Sequence, residues 1–464
     1  MHRKTLHGRT ARQEHRVTPA DVVARALEPL HGGARDYDAL LDLVGDATFV
    51  LIGEASHGTQ EFYAERATIT RRLIEEKEFA AVCIEGDWPD ARRVDCFVKC
   101  LGDDRDADQA LEGFRRFPTW MWRNDVVRDF VSWLRTTNET RPDAQRVGFF
   151  GLDLYSMFGS IQSVLAYLDR VDPGAAKQAR YRYACFEHFG DDSQAYGYAT
   201  SASLADPCED EAVRALLELR QKELDYVSRD GRRAADDFFS AEQNARLVRN
   251  AEHYYRSMYR GRVSSWNLRD RHMADTLDAV HRHLQGSNRF AKVVVWAHNS
   301  HLGDARHTDM KRRGELNLGQ LARERYGRDA VRLIGFSTHT GSVTAAHDWD
   351  EPGLQRRVVP SLAESCERVL HDASARLEAP RAFLRLRDDN DAVRALTPPR
   401  LQRAIGVVYR PETERWSHYY DVVLPKQFDA IIHIDETTAL RALEPGEEWE
   451  AGVQEPPEAY PSGL

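Results

Sequence analysis

Four separate stretches of this chain, FVLIGEASHG, AVCIEGDW, VGFFGLD and VVVWAHNSH, share one pattern: an apolar run of strand type that stops abruptly on an ionisable side chain. In an open α/β sheet, residues just past the carboxyl ends of the strands line one common crevice. Glu54, His57, Glu85, Asp87, Asp153, His298 and His301 are therefore expected to be neighbours despite their distance in sequence. The fold class this predicts is α/β, a central mostly parallel sheet flanked by helices, with a large helical insertion.

The pattern along the chain divides it into five segments: a disordered basic tail over 1–18, a first half of the α/β core over 19–156, a helical insertion or cap over 157–289, a second half of the core over 290–442, and an acidic solvated tail over 443–464. Helices are expected between Val22 and Leu43, then a strand at Ala47 to Ile52 and a tight loop bounded by Gly53 and Gly58. Thr59 reads as the N-cap of a helix that places Phe62, Ile69 and Leu73 on one stripe. A strand at Ala80 to Glu85 would complete a right-handed βαβ unit. Further strands are expected at Val147 to Leu152, Lys292 to Trp296, Val331 to Phe336, Ser342 to Ala345, Ala404 to Tyr409 and Ala430 to Ile434. Within the insertion, Phe238, Ala241, Ala245, Val248, Ala251, Tyr255 and Met258 recur at steps of three or four, the spacing of a packed helix face.

Composition removes several classes of function. A net charge of −10, with no basic block beyond the first sixteen residues, argues against nucleic acid as partner. No apolar run approaches the roughly 20 residues a bilayer span needs, and no secretory signal follows the basic N-terminus, so a soluble cytoplasmic protein without a membrane partner is expected. Six cysteines without a C-x-x-C pair read as free thiols in a reducing compartment, with Cys96 and Cys100 as small buried residues. The G-x-x-x-x-G-K-[ST], G-x-G-x-x-G and G-x-S-x-G motifs are missing, which weighs against phosphate-loop nucleotides, dinucleotide cofactors and a serine nucleophile.

Arg66 is the most telling single residue. It lies four after Phe62 and three before Ile69, which puts a permanent charge on the stripe facing the sheet. A buried guanidinium needs an anion, and the nearest acids in this topology are Glu54 and Glu85. It reads as a carboxylate clamp or an oxyanion stabiliser, or else as an arginine that snorkels to the helix edge. Glu54 beside His57 makes that imidazole a candidate general base for water. Glu85, if burial raises its pKa, would hold a proton for a leaving group while Glu54 stays ionised. His298 is a candidate for proton transfer and His301 for its supporting partner. Asp87, Asp153 and His301 are candidate substrate contacts, the two aspartates being alternatively helix caps or arginine partners. No organic cofactor is expected. A divalent metal is the alternative route to hydroxide, with His57, Glu85, His298 and His301 as its ligands, although H-x-x-H is a weaker signal than H-E-x-x-H.

The strings GEASHGTQEFYAERATITRRLI, EGDWPDARRVDCFV, FPTWMWRNDVVRDFVSWL, GLDLYS, SSWNLRDRHMADTL and VVWAHNSHLGDARHTDMKRRGELNLGQLARERYG resemble the erythromycin esterase family, which includes members named for succinoglycan biosynthesis. The likeness runs in order from about residue 38 to 440. It implies an α/β core with helical additions, a deep cleft, and in the antibiotic-resistance members hydrolysis of a macrolide lactone by activated water. It also implies His57 as base, Glu54 as its acidic partner, and Arg66, Glu85 and His298 as further site residues. GDARHTDMKRRGELNLGQL and RAIGVVYRPETERWSHYYDVVLPKQFDAIIHIDE look like the broad branch of the family, so the natural partner implied is a small-molecule ester or lactone other than erythromycin. Tyr181, Tyr183, Tyr196, Tyr198, Tyr254 and Tyr255 would wall an apolar cleft or pack in the arm's core. A binding or polymer-biosynthesis accessory protein that recognises a sugar or acidic ligand is the non-enzymatic alternative.

Overall fold

The computed structural model describes residues 17–228, 231–259 and 261–452. The basic segment 1–16 and the end of the acidic segment, 453–464, lie outside the described residues. The strands are β1 (Glu28–Pro29), β2 (Phe49–Ile52), β3 (Phe79–Asp87), β4 (Gly148–Asp153), β5 (Lys292–Trp296), β6 (Val331–Ala345), β7 (Leu354–Val358), β8 (Arg381–Arg385), β9 (Arg400–Arg403), β10 (Tyr419–Val422) and β11 (Ala430–Thr437). Nine of them form one sheet in the order β1-β8-β11-β6-β2-β5-β3-β4, with β7 on β6, while β9 and β10 pair separately. From β11 to β4 all neighbours are parallel; β1, β7 and β8 are antiparallel additions. The fold is thus α/β with a mostly parallel sheet.

Successive residues of the central strands feed two cores. Phe49, Leu51, Ala81, Cys83, Val293 and Val295 pack on one face of the sheet, and Val50, Ile52, Val82, Ile84, Val294 and Trp296 on the other. Strands covered on both faces stay apolar at every position, which is why these runs stand out in the sequence. The second face is covered by the helix Gln60–Glu76, whose Phe62, Ile69 and Leu73 are fully buried. The first carries the helical arm: between β4 and β5 the described residues form helices and no strands, ending in the long pair Gly231–Met258 and Arg262–Gln285. Phe238, Ala241, Ala245, Val248, Ala251 and Tyr255 of that pair are buried.

Several expectations are corrected. β2 and β3 are not adjacent; β5, some 200 residues later, lies between them and pairs in parallel with both. The segments expected as two strands near 331 and 342 form the single strand β6. Residues 404–409 are not a strand; Ile405 and Val408 make only isolated bridges, to Ser56 and Ala346, and the ladder lies just before, at β9. The acidic segment docks as far as it is described: the Trp449 indole N–H donates to Thr344 Oγ1 at 2.8 Å, and Trp449 is buried. Cys185 and Cys208 are not free thiols but form a disulfide, their Cα atoms 6.1 Å apart, since the arm's turns bring together positions that no local spacing relates. Cys96 and Cys100 are free and half-buried. Among the described residues, no helix is long and apolar enough to cross a membrane.

Candidate active site

Register explains why the strand ends meet. Ile52 of β2 pairs with Trp296 of β5, which pairs with Ile84 of β3. Residues one or two beyond that line, Glu54, His298 and Glu85, therefore stand at one level across the sheet. The loop after β2 is fixed by close backbone approach. A Cβ on Gly53 would fall 2.1 Å from Asn299 Oδ1, and one on Gly58 1.8 Å from the Thr344 carbonyl oxygen. The Asn299 N–H donates to the Glu54 carbonyl at 2.8 Å and its side chain bonds the Phe336 backbone. The His57 N–H donates to Ile405 O at 3.2 Å, and the Ile405 N–H to Ala55 O at 2.9 Å, so the irregular 404–409 segment holds the loop from above.

Within this frame Glu54 joins two partners. One carboxylate oxygen lies 2.8 Å from His57 Nδ1, the other 2.8 Å from Arg66 Nη2. Arg66 is 0 % exposed, its guanidinium 4.3 Å from the Tyr63 ring centroid and 5.3 Å from that of Trp296. Of the readings open for Arg66, the clamp on Glu54 holds; a side chain so enclosed neither snorkels nor reaches a substrate carbonyl. Glu54 engages Nδ1 of His57 and leaves Nε2 as the ring's free basic atom. His57, at 8 % exposure, is more accessible than Glu54 at 1 % or His298 and Glu85 at 4 %. The Ser56 hydroxyl is hydrogen-bonded to that of Thr59, away from any nucleophile role.

His298 stands beside His57, ring centroids 4.7 Å apart. It caps the short helix Asn299–Leu302, Nδ1 accepting from the Ser300 N–H at 3.2 Å, which puts the proton of the neutral ring on Nε2. Burial and the neighbouring His57 push its pKa well below the ordinary imidazole value, so at neutral pH His298 is an uncharged hydrogen-bond donor and not an acid ready to give up a proton.

The Glu85 expectation is overturned. Burial alone would raise its carboxyl, but His301, Arg269 and His57 and the His298 N–H hold it well below the usual carboxylate range. Arg269 Nη2 is 2.7 Å from Glu85 Oε1, and the His298 N–H donates to Oε2 at 2.8 Å. Glu85 is ionised and serves as an anchor. His301 lies behind it, Nδ1 2.9 Å from Asp270 and Nε2 3.3 Å from Glu85, stacked on Trp266. Burial disfavours its charged ring, yet Asp270 and Glu85 outweigh that and raise its pKa. Asp153 is bound by Arg269 at 2.6 Å and Asp87 by Arg116 at 3.1 Å, while Asp87 also accepts the Ser156 N–H at 3.1 Å. Both aspartates are arginine partners, with their oxygens committed. Among the described residues no three His, Cys, Asp or Glu side chains are arranged to hold a metal ion; Glu54 and Asp270 take Nδ1 of His57 and His301, and Arg269 takes Glu85.

Arg269 and Asp270 were missed, although they carry the same signal as Arg66. They interrupt the stripe Trp266, Met273, Ala274 and Leu277 of the helix Arg262–Gln285, where Met273 is 0 % and Asp270 0 % exposed. Two adjacent charges on a packed face called for partners. Tyr155, beyond the end of β4, lies under both cations, 4.8 Å from Arg269 and 5.1 Å from Arg116, and its carbonyl accepts the Tyr255 hydroxyl of the arm at 2.9 Å. Of the arm's tyrosines, Tyr183, Tyr196 and Tyr255 are core, whereas Tyr181 and Tyr198 are exposed.

A family profile described as erythromycin esterase matches residues 74–437. That span includes Glu85, Arg269, His298 and His301 and begins after Glu54, His57 and Arg66. Erythromycin esterase type II of Escherichia coli is 22 % identical over 326 residues, 67 % of this chain and 74 % of that protein. The type I enzyme of the same species is 23 % identical over 340 residues, 70 % and 78 % of the two chains. Among solved structures, a succinoglycan biosynthesis protein superposes with a TM-score of 0.73 at 19 % identity, covering 92 % of this chain and 98 % of that one. A Bacillus cereus protein gives 0.75 at 19 % with the same coverage. A mutant of the erythromycin esterase EreC in its open conformation gives 0.62 at 17 %, covering 90 % and 96 %.

Proposed function

The chain belongs to the erythromycin esterase family, and from that premise we propose that it hydrolyses a carboxylic ester or lactone with water activated by His57. The observation that carries this reading is the buried series Arg66, Glu54, His57, with two successive contacts of 2.8 Å ending on an accessible imidazole. Nε2 of His57 takes a proton from water as the oxygen attacks the ester carbonyl. Glu54 stabilises the imidazolium through Nδ1–H, and Arg66 keeps Glu54 in position. Negative charge develops on the carbonyl oxygen, and neutral His298, its ring 4.7 Å from that of His57, is the donor assigned to it once the substrate displaces the packing around its buried Nε2. The intermediate then collapses. The carbon to alkoxy oxygen bond breaks, the His57 imidazolium returns its proton to the alkoxide, and the product is an alcohol with a carboxylic acid from an ester, or one hydroxy acid from a lactone, the acid ionising to solvent.

Ionised Glu85 cannot supply that proton. Its part is positioning: it binds the His298 backbone on one side and Arg269 on the other, which fixes the donor beside the base. The substrate class is read as esters and lactones, with macrolides as test compounds and not as the assigned natural ligand, because the identities to the named esterases are 22 % and 23 %.

The test is a panel of aryl esters, aliphatic lactones and macrolides scored for hydrolysis product by mass spectrometry. On any accepted substrate His57→Ala should lower turnover about a hundredfold or more, the scale usual for a general base. Full turnover by that variant would remove His57 from the reaction, and a panel without any product would favour a ligand-binding role for the whole cluster.

A further inference from the structure

The helical arm holds a cavity of about 490 Å³ that shares no residue with the active site. It lies among the helices Glu209–Gln221, Gly231–Met258 and Arg262–Gln285, and its size is within the range of small-molecule sites. Four arginines line it: Arg220, Arg246, Arg249 and Arg282. Two of these have carboxylate partners, Arg220 with Glu242 at 3.1 Å and Arg282 with Asp278 at 2.5 Å. Arg246 and Arg249 are half-buried, and among the described residues neither has an ion-pair partner. Their hydrogen bonds go to neutral amides. Arg246 Nη1 donates to Gln243 Oε1 at 3.2 Å, and Arg249 Nε and Nη2 donate to Asn250 Oδ1 at 3.1 and 2.9 Å. The one lining carboxylate beyond Glu242 is Glu223, exposed, so the wall keeps a positive excess inside a protein whose net charge is −10.

We infer that this cavity is a binding site for a small phosphorylated ligand. Half-burying two guanidiniums side by side with no carboxylate in contact costs free energy. Burial lowers the Arg246 pKa; Glu242 and Asp275 pull the other way, and Arg249 and Arg282 add repulsion. An anion seated between them removes that cost. Arg246 and Arg249 come from one helix, and Arg220 and Arg282, each already on a carboxylate, face the cavity from two others, so positive charge surrounds it from three sides. That suits the three terminal oxygens of a phosphate monoester, whereas a planar carboxylate is satisfied by one fork. The donors are also held in place. Asn250, which fixes Arg249, is itself fixed by a 2.8 Å contact from its Nδ2 to Nδ1 of the buried His272.

Calorimetric titration of the full chain with inorganic phosphate, glycerol 3-phosphate and glutarate tests this. One saturable site per chain is expected for phosphate or the phosphate monoester at millimolar concentration, with glutarate weaker. Arg246→Gln/Arg249→Gln should weaken it about tenfold or more. Arg214→Gln, which removes an exposed arginine paired with Glu211 outside the cavity, should leave it unchanged. Arg246→Lys keeps the charge and loses the fork; it should give a partial loss, and it carries the test if melting curves show the double variant misfolded. No saturable binding of either phosphate compound would overturn the inference. So would equal affinity in the double variant, or glutarate binding as tightly as phosphate.

Discussion

Replacing Arg66 by methionine isolates what the buried cation does. Its side chain and that of Glu54 are 0 % and 1 % exposed, with 2.8 Å between nitrogen and oxygen. At an effective dielectric constant of about 20, attraction over that distance is about 6 kcal/mol, opposed by the cost of drawing both ions out of water. Methionine fills much of the space of the arginine stem beside Tyr63 and Trp296, so lost charge and not lost packing dominates the effect. Leaving Glu54 buried alone should lower stability by about 3–5 kcal/mol. Urea unfolding followed by tryptophan fluorescence would read this as a midpoint lower by about 1 to 1.7 M, for a slope of about 3 kcal/mol/M. The double variant Glu54→Gln/Arg66→Met removes both charges and should regain most of the loss. Turnover should not return with it, because neither variant offers His57 a held carboxylate. An Arg66→Met protein as stable as the parent, or a double variant whose loss is the sum of the two single ones, would refute the clamp.

Two further outcomes follow from the same geometry. The folded pKa of Glu85 lies below its ordinary value of 4.5 because His301 and Arg269 outweigh burial, so its contribution to stability is present above that value and lost as pH falls below it. Glu85→Gln should therefore be less stable than the parent at neutral pH, with the gap closing as urea midpoints are followed down to about pH 3; a gap constant with pH contradicts the charge assignment. Gly58→Ala pushes a methyl group into the Thr344 carbonyl, 1.8 Å from the ideal Cβ, beside the loop that carries His57. A stability loss of about 1–3 kcal/mol is expected, together with turnover loss that exceeds it because the base is displaced; unchanged turnover with the clash relieved elsewhere argues that the loop tolerates movement.

The legible part of the site was whatever local pattern encodes. Arg66 betrayed itself because a charge on a packed helical stripe has to be answered, and Glu54 answers it. Arg269 and Asp270 sit on a stripe of the same kind, but their partners Glu85 and His301 lie at strand ends outside the helical arm, where no pattern local to the arm points. The disulfide between Cys185 and Cys208 and the docking of Trp449 lie beyond any local pattern, since each depends on two distant segments meeting.

The sequence by itself determined the buried central strands and the candidates their ionisable ends present, because burial on both faces of a sheet writes a continuous apolar run into each such strand. The tertiary structure alone decided the charge states. Glu85 is an anchor and not an acid because His301 and an arginine from the arm, 184 residues away in the chain, close on it, and His298 is neutral because it is buried and His57 from another strand end lies against it. A proton's free energy depends on which charges surround its site, and that arrangement exists only once the chain has folded.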